Sequence, residues 1–286
     1  MSVLAMAVLA LLRQEPAGTV VAEGAVAQPR VAIAPPGGDA ALHVVYVRDG
    51  TQVVLRTLQA GGELAAEVVL AQALTLAGMR RGPRLAAAAG RVCVTACVFD
   101  PARARAGELM AWSSADAGRT FDGPFAVSDA PGAAREGLHD MAAAADGTLG
   151  CAWLDLRGGR TALYASFSRD GGRTWTGNTL VYRSPDGSVC ECCAPVMACT
   201  STGQFLILFR NALAGKRDMW LARGGPEGFT PAEKLGKGSW NLAGCPMAAG
   251  ALAPAPKDLL TFWQREDRLF RCLPGRKEEE LGAGMQ

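Results

Sequence analysis

The chain has 286 residues, enough for one large all-β domain or two smaller ones, and it can bury a core without help from disulfides. Its formal net charge is +2, and basic residues are scattered among acidic ones rather than forming a stripe, so nucleic acid is not an expected partner. Only two histidines are present, which excludes a histidine-rich metal site.

Residues 1–18 read as a signal segment or its remnant. The apolar run 3–12 has the length of a signal-peptide core and is too short to span a membrane. No lysine or arginine precedes it, although a positive start is typical of signals. We expect a periplasmic or secreted protein, with a cytoplasmic chain as the alternative. No other stretch approaches membrane length, so we expect no membrane span.

Residues 19–286 contain an internal repeat and are predicted to form one domain. Short apolar runs of small residues, each closed by a turn, begin at Pro29, Pro83, His139, Ala194 and Cys245. Three further β-rich segments follow most of them. Four strands per repeat at a spacing of about 55 residues is typical of a β-propeller blade. The sequence predicts an all-β propeller with five visible repeats and five or six blades. Residues 19–26 are expected to close the ring as an outer strand of the last blade.

Two turns between third and fourth strands share the pattern Ser-x-Asp-x-Gly-x-Thr-Trp/Phe. An aspartate in such a turn accepts hydrogen bonds from turn amides, and the glycine allows a positive φ. The aromatic residue can pack beneath the hairpin. The residues that carry the pattern are Ser114, Asp116, Gly118 and Phe121 in one repeat, and Ser168, Asp170, Gly172 and Trp175 in the next.

These turns resemble the Asp-boxes, or BNR repeats, of the sialidase superfamily. The resemblance covers most of residues 29–286 and implies a sialidase-type propeller. In that family the Asp-boxes lie on outer turns away from the substrate site, so the resemblance implies a structural role for Asp116 and Asp170.

The resemblance also implies a set of catalytic groups, which the chain matches only in part. Sialidases clamp a carboxylate with three arginines and use a tyrosine paired with a glutamate as nucleophile. Arg30 matches the first arginine, but the proline that the family motif places after it is missing. The chain has three tyrosines and none after Tyr182, whereas the family takes its nucleophile from late in the wheel. We therefore expect a non-catalytic protein, with an exo-sialidase-like glycoside hydrolase as the alternative.

Residues that open the inner strands of a propeller face one axial mouth, where ligands usually bind. We expect a small molecule, glycan or metal ion to bind there, with no cofactor certain. Anionic or glycan-like ligands would meet the candidate residues Arg30, Arg84, His139, Asp140, Arg157 and Arg210.

The run SVCECCAPVMAC (188–199) holds four of the nine cysteines in twelve residues. Together with the later WNLAGCP it resembles a bacterial sialidase-like subgroup that pairs Cys-x-Cys-Cys with Cys-Pro, from which no activity can be transferred. Because Cys192 or Cys193 opens one inner strand and Cys245 the next, we expect them to approach each other across adjacent blades.

Three interpretations of this run stay open. One is a disulfide, for instance from Cys190 or Cys192 to Cys245, as is usual in exported proteins. Another is a soft metal site, since thiolates and thioethers select Cu(I) or Zn(II). The third is burial or a redox pair. The candidate metal ligands are Cys192, Cys193, Cys245, Met247 and His139. The cysteines that alternate with apolar strand residues, Cys93, Cys97 and Cys151, are predicted to be core.

Overall fold

The computed structural model describes residues 19–36, 38–72, 75–76, 81–99, 107–255 and 258–284. Within these ranges all regular secondary structure is β, in 22 strands. None of the described residues belongs to a helix long and apolar enough to cross a membrane. The predicted signal segment, 1–18, lies outside the described residues.

The strands form five antiparallel sheets that follow one another along the chain. The first sheet contains β1 (Val26–Ile33), β2 (Ala40–Arg48), β3 (Gln52–Gln59) and β4 (Val68–Ala71). The second contains β5 (Thr75–Leu76), β6 (Arg84–Ala88), β7 (Arg91–Phe99), β8 (Gly107–Ser114) and β9 (Asp122–Ala126). The third contains β10 (His139–Ala143), β11 (Leu149–Asp155), β12 (Ala162–Ser168) and β13 (Thr179–Tyr182). The fourth contains β14 (Val196–Cys199), β15 (Phe205–Arg210), β16 (Met219–Gly225), β17 (Gly228–Phe229) and β18 (Glu233–Lys234). The fifth contains β19 (Ala251–Pro254), β20 (Leu259–Arg265), β21 (Arg268–Cys272) and β22 (Glu279–Ala283).

The sheets are the blades of a propeller. In each one the strands pair in chain order from an inner to an outer strand, with two exceptions: β5 and β6 both pair with β7 in the second sheet, and β17 and β18 both pair with β16 in the fourth. The inner strands lie side by side in the order β1, β6, β10, β14 and β19. The predicted all-β propeller is therefore confirmed, and the described residues form five blades.

The core lies between neighbouring blades, because each sheet packs both faces against another layer. Central strands are consequently apolar without strict alternation, and every residue of β11 and β12 is buried. Between the third and fourth blades, the Phe167 and Phe205 rings meet edge to face at 5.1 Å. Trp153 and Leu149 fill the layer between the second and third blades.

The two Ser-x-Asp turns fold in the same way. Asp116 Oδ1 accepts hydrogen bonds from the Ser114 hydroxyl and the Thr120 amide, at 2.7 and 2.9 Å. Asp170 Oδ1 accepts the equivalent bonds in the next blade. Both glycines have positive φ, +84° for Gly118 and +97° for Gly172. Beneath these hairpins Phe121 and Trp175 pack against the core, as expected.

The expectation that residues 19–26 form an outer strand of the last blade is wrong. The C-terminal repeat supplies its own fourth strand, β22, which already pairs with β21 in the position expected for residues 19–26. Val26 instead begins β1, the inner strand of the first blade. Val21 packs against the first blade, and its carbonyl oxygen accepts a hydrogen bond from Arg56.

Candidate functional site

The topology collects the predicted site residues at one end of the propeller. All inner strands run in the same direction, so their first residues lie at one end, here called the upper end. The connections between second and third strands return to this end. The Ser-x-Asp turns, which join third to fourth strands, lie at the opposite end.

An ion pair links the second and third blades at the upper end. Arg84 opens β6, and its Nε lies 3.2 Å from Asp140 Oδ1 of β10. Asp140 Oδ2 also accepts a hydrogen bond from the Met197 amide of the fourth blade, at 2.9 Å. Burial lowers the pKa of Arg84 to about 10, opposed by Asp140. Burial also disfavours the charged form of Asp140 and therefore raises its pKa. The pair therefore joins three blades around the axis.

His139 lies beside this pair, fully buried. Its Nδ1 is 2.9 Å from Gly137 O, and its Nε2 is 3.2 Å from Thr95 Oγ1. Burial lowers the pKa of His139 to about 3, and the positive charge of Arg84 acts in the same direction. The ring is therefore neutral at pH 7, with both nitrogens close to polar partners.

Arg30 and Arg84, which the sequence predicted to form an anion clamp, lie in different environments. The Arg84 side chain is 5% exposed and its charge is balanced by Asp140. The Arg30 guanidinium is exposed and donates to Pro29 O at 3.3 Å. Arg30 does lie near enough to lower the pKa of Arg84. A ligand carboxylate would compete with Asp140 at the Nε of Arg84, because a carboxylate already occupies that position.

Arg157 is held by an ion network in the third blade. Its guanidinium lies 3.0 Å from the buried Asp155 Oδ1 and 2.9 Å from Asp129 Oδ1. It donates to Asn178 Oδ1 at 2.7 Å and stacks 4.3 Å above the Tyr164 ring. These contacts give Arg157 a structural role.

Arg210 ends β15 and is buried beneath the cysteine-rich segment. Its guanidinium donates to Ala248 O at 3.3 Å and to Gln264 O at 3.0 Å, both on the fifth blade. It lies 5.2 Å from the centre of the Trp240 ring. Burial lowers the pKa of Arg210, and the neighbouring Cys193 opposes this. Arg210 therefore ties the fourth blade to the fifth rather than facing the axial mouth.

Four cysteine sulfurs meet at the upper end, between the fourth and fifth blades. Cys192 and Cys245 form a disulfide with a Cα–Cα distance of 6.2 Å. Cys190 Sγ lies 3.5 Å from Cys193 Sγ and 3.7 Å from Cys192 Sγ. The expected approach of Cys192 to Cys245 across adjacent blades is thus present. We call Cys190, Cys192, Cys193 and Cys245 the sulfur cluster.

The sulfur cluster differs from the metal set expected from the sequence. Among the described residues, the one group whose donor atoms lie within 4.8 Å of one another is Cys190, Cys192 and Cys193. His139 is not a member, because its nitrogens face Gly137 and Thr95. Met247 lies on the same connection as Cys245, with its side chain exposed.

The other cysteines lie apart from the cluster. Cys93, Cys97 and Cys151 are buried within strands, as expected, and burial raises the pKa of each thiol. Cys199 is half-buried in β14, and Cys272 is buried at the end of β21.

A cavity of about 720 Å³ opens beside the sulfur cluster. It lies among the connections of the third, fourth and fifth blades, and we call it the upper cavity. The polar residues that line it are Arg160, Asp186, Ser188, Glu191, Arg217 and Asn241. Sequence reasoning missed them because it considered residues that open inner strands and arginines that follow second strands, and not the other residues of the connecting turns. The sequence feature that could have indicated these residues is their position in charged, glycine-rich turns such as RGGR and PDGS.

Arg217 is the most distinctive residue of the upper cavity. Its Nε is buried and has no hydrogen-bond partner among the described residues. A buried donor without a partner costs about 1–3 kcal/mol. Because Nε is buried, a ligand in the cavity would meet the accessible part of this half-buried side chain. Its carbonyl accepts a hydrogen bond from Arg210, at 2.6 Å.

The three tyrosines lie outside the upper cavity. Tyr46 donates to Glu67 Oε1 at 2.7 Å in the first blade, and burial raises its pKa to about 12. Tyr164 lies beneath Arg157, and the Tyr182 hydroxyl accepts a hydrogen bond from Asn211 Nδ2. A raised pKa makes a phenol a poorer nucleophile, opposite to what sialidase chemistry requires.

No family model and no curated protein matches this chain. Several solved structures match it in fold. An α-L-arabinofuranosidase of Fusarium graminearum, in complex with an iminosugar inhibitor, is 13% identical with a TM-score of 0.56, over 91% of this chain and 81% of that one. A Trypanosoma rangeli sialidase mutant with trans-sialidase activity is 12% identical with a TM-score of 0.53, over 92% and 48%.

A fucose-binding lectin of Aleuria aurantia, described as a six-bladed β-propeller, is 10% identical with a TM-score of 0.51, over 85% of this chain and 73% of that one. The present chain spans about half the length of the sialidase. At these identities the likeness shows the fold alone: a propeller whose structural neighbours include glycoside hydrolases and glycan-binding lectins.

Proposed function

We propose that this protein is a non-catalytic, exported propeller that binds an anionic, glycan-like small molecule in the upper cavity. The observation that carries the proposal is the pair of arginines, Arg160 and Arg217, that line a polar cavity of about 720 Å³. A planar guanidinium matches a carboxylate in bidentate fashion, so a sugar acid suits this position.

The rest of the cavity lining supports the same class of ligand. Arg160 supplies a second positive charge, whereas Asp186, Ser188 and Asn241 offer acceptors and donors for sugar hydroxyls. Sites that combine a few directed polar groups with a preformed cavity are typical of small-molecule recognition. Structural neighbours that are glycosidases and fucose lectins agree with a glycan-related role.

A glycoside hydrolase is the alternative, and one observation favours it. Asp186 and Glu191 both line the upper cavity, and hydrolases of most families act through two carboxylates. Against sialidase chemistry, Tyr46, Tyr164 and Tyr182 all lie elsewhere. A binding role accounts for the cavity without requiring a nucleophile.

Calorimetric titration tests the proposal with N-acetylneuraminic acid, glucuronic acid, L-fucose and L-arabinose. We expect an acidic sugar to bind and Arg217→Gln to weaken it about 10- to 100-fold, since a charge-assisted hydrogen bond contributes about 1.5–3 kcal/mol. Arg217→Lys retains the charge and should lose less. Arg169→Gln is the matched control, because Arg169 is exposed at the opposite end.

Two results would overturn the proposal. One is that none of the four sugars binds, or that Arg217→Gln binds as tightly as the wild type. The other is turnover of a fluorogenic sialoside or arabinofuranoside that Asp186→Asn or Glu191→Gln abolishes, which would establish the hydrolase.

A further inference from the structure

We propose that the sulfur cluster binds a soft metal ion through four thiolates, Cys190, Cys192, Cys193 and Cys245, once the Cys192–Cys245 disulfide is reduced. The inference concerns a site beside the upper cavity and does not rest on the proposed sugar binding.

The spacing of the sulfurs carries the inference. The three Sγ–Sγ distances among Cys190, Cys192 and Cys193 are 3.5, 3.7 and 3.9 Å. A tetrahedral ion with metal–sulfur bonds of about 2.3 Å needs sulfurs about 3.8 Å apart, because a tetrahedron's edge is about 1.6 times its centre-to-vertex distance. The three cysteines therefore already form one face of a tetrathiolate site.

The backbone, rather than a metal, positions this face. The Cys190 amide donates to Arg210 O at 3.0 Å, and Val189 donates to Thr161 O at 2.9 Å. These bonds attach the segment to the end of β15 and to the third blade. Cys190 and Cys193 are buried at 1% and 2% exposure, so their sulfurs are held in the protein interior.

Cys245 supplies the fourth vertex. Its sulfur is already attached to Cys192, so reduction leaves it next to the other three. Cys245 is exposed and lies in a connection without regular strand structure. A reductant can therefore reach the disulfide from the Cys245 side, and the connection can adjust when the sulfurs separate.

The surroundings offset the charge of such a site. Four thiolates and a divalent ion carry a net charge of −2, which is costly to bury without compensation. Arg210, itself 2% exposed, contributes positive potential at Cys190 and Cys193, and Arg217 contributes positive potential at Cys190. Such outer partners are typical of functional metal sites.

The donor set selects the class of ion. All four ligands are sulfur, which favours Zn(II) and Cu(I) over Mg(II) or Ca(II). The site differs from the sequence-based expectation by including Cys190 and omitting His139 and Met247.

The disulfide makes binding depend on redox state. A dithiol reductant gives two electrons and two protons to the Cys192–Cys245 bond and becomes a disulfide itself. The site then has four thiols instead of two, and metal binding displaces up to four protons. In an oxidising compartment the disulfide closes the site, so in an exported protein the site opens only where a reductant acts on the disulfide.

Metal titration of the full chain tests the inference. Protein reduced with a phosphine is exchanged into anaerobic buffer and titrated with Co(II), then Zn(II), and separately with Cu(I) against a chromophoric chelator. We expect one ion per chain and thiolate-to-cobalt charge-transfer absorption in the reduced protein, and no binding in the oxidised protein. Zn(II) or Cu(I) binding supports the inference, and the stronger competitor identifies the ion.

Variants assign the ligands. Cys190→Ser and Cys245→Ser should each weaken binding more than about 100-fold, since loss of an outer partner alone costs up to about that much. Cys245 is exposed, so its variant should fold even if Cys190→Ser does not. Cys199→Ser is the matched control and should bind normally. Failure of all three ions to bind reduced protein, equal binding by oxidised protein, or unchanged binding by Cys245→Ser would overturn the inference.

Discussion

Arg84 Nε lies 3.2 Å from Asp140 Oδ1, and this contact joins the inner strands of the second and third blades. The Arg84 side chain is almost fully buried, so its charge depends on this partner. Asp140→Ala would remove the carboxylate that pairs with this buried charge, and we expect it to lower the free energy of unfolding by about 3–5 kcal/mol. Urea denaturation measures the change.

A double variant separates the charge effect from simple loss of packing. Arg84→Met combined with Asp140→Ala removes both charges, and we expect it to be more stable than Asp140→Ala alone. A double variant less stable than Asp140→Ala would show that the pair is not the source of the effect.

Gly172→Ala should be more destabilising than Gly118→Ala. Both glycines have positive φ, which costs an alanine about 1 kcal/mol or more. A Cβ at Gly172 would lie 2.5 Å from Cys93 Sγ, whereas at Gly118 the nearest atom, in Leu55, is 3.3 Å away. Overpacking adds about 1–3 kcal/mol at the tighter position. Equal losses in thermal stability would contradict this explanation.

Asp170→Ala should lower the free energy of unfolding by about 1–3 kcal/mol, because the Thr174 and Arg173 amides lose their acceptor. Sugar binding at the upper cavity should be unchanged, since the turn lies at the opposite end. Thermal melting and calorimetric titration of the same protein check both statements. Weakened binding with unchanged melting would assign this turn a functional role instead of a structural one.

His139 should make the protein less stable in acid. Burial lowers its pKa to about 3 in the folded state, whereas the unfolded value is near 6.5. Between these values only the unfolded chain takes up the proton, so stability falls as pH falls from about 6.5 towards 3, by up to about 1.4 kcal/mol per pH unit. His139→Gln should flatten this part of the pH profile.

Arg84 and Arg30 add positive charge around His139, and Asp140 adds a carboxyl whose pKa burial raises. The comparison between wild type and His139→Gln cancels the titration of Asp140 to first order. An identical acid profile for the two proteins would show that His139 does not titrate on unfolding.

The sequence was sufficient for the fold because its signals are local. Repeated β-rich segments and the two Ser-x-Asp turns predicted four-stranded blades, and the turn bonds of Asp116 and Asp170 formed as expected. It failed for residues 19–26, because strand pairing at the ring's edge depends on which segment competes for it, and β22 already occupies the last blade's edge.

The candidate site was only partly predictable, because its side-chain contacts also depend on segments that are distant in sequence. Because the first residues of the inner strands occupy equivalent positions, the sequence predicted that Arg84 lies near Asp140 and Cys192 near Cys245. It could not show that Asp140 would neutralise Arg84, or that Arg157 and Arg210 would be used in structural contacts. Side-chain direction and pairing depend on neighbouring blades, which repeat spacing does not specify.

By itself, then, the sequence determined the β-propeller architecture, the structural turns and the meeting of cysteines from consecutive blades, since each follows from periodicity and chain order. Only the tertiary structure decided that Cys190 belongs with the other three sulfurs, that His139 does not, and that Arg217 lines a cavity. These outcomes depend on contacts between segments that are distant in sequence. Packing and burial at those contacts determine the environment of each side chain, and the sequence pattern does not distinguish one such side chain from another.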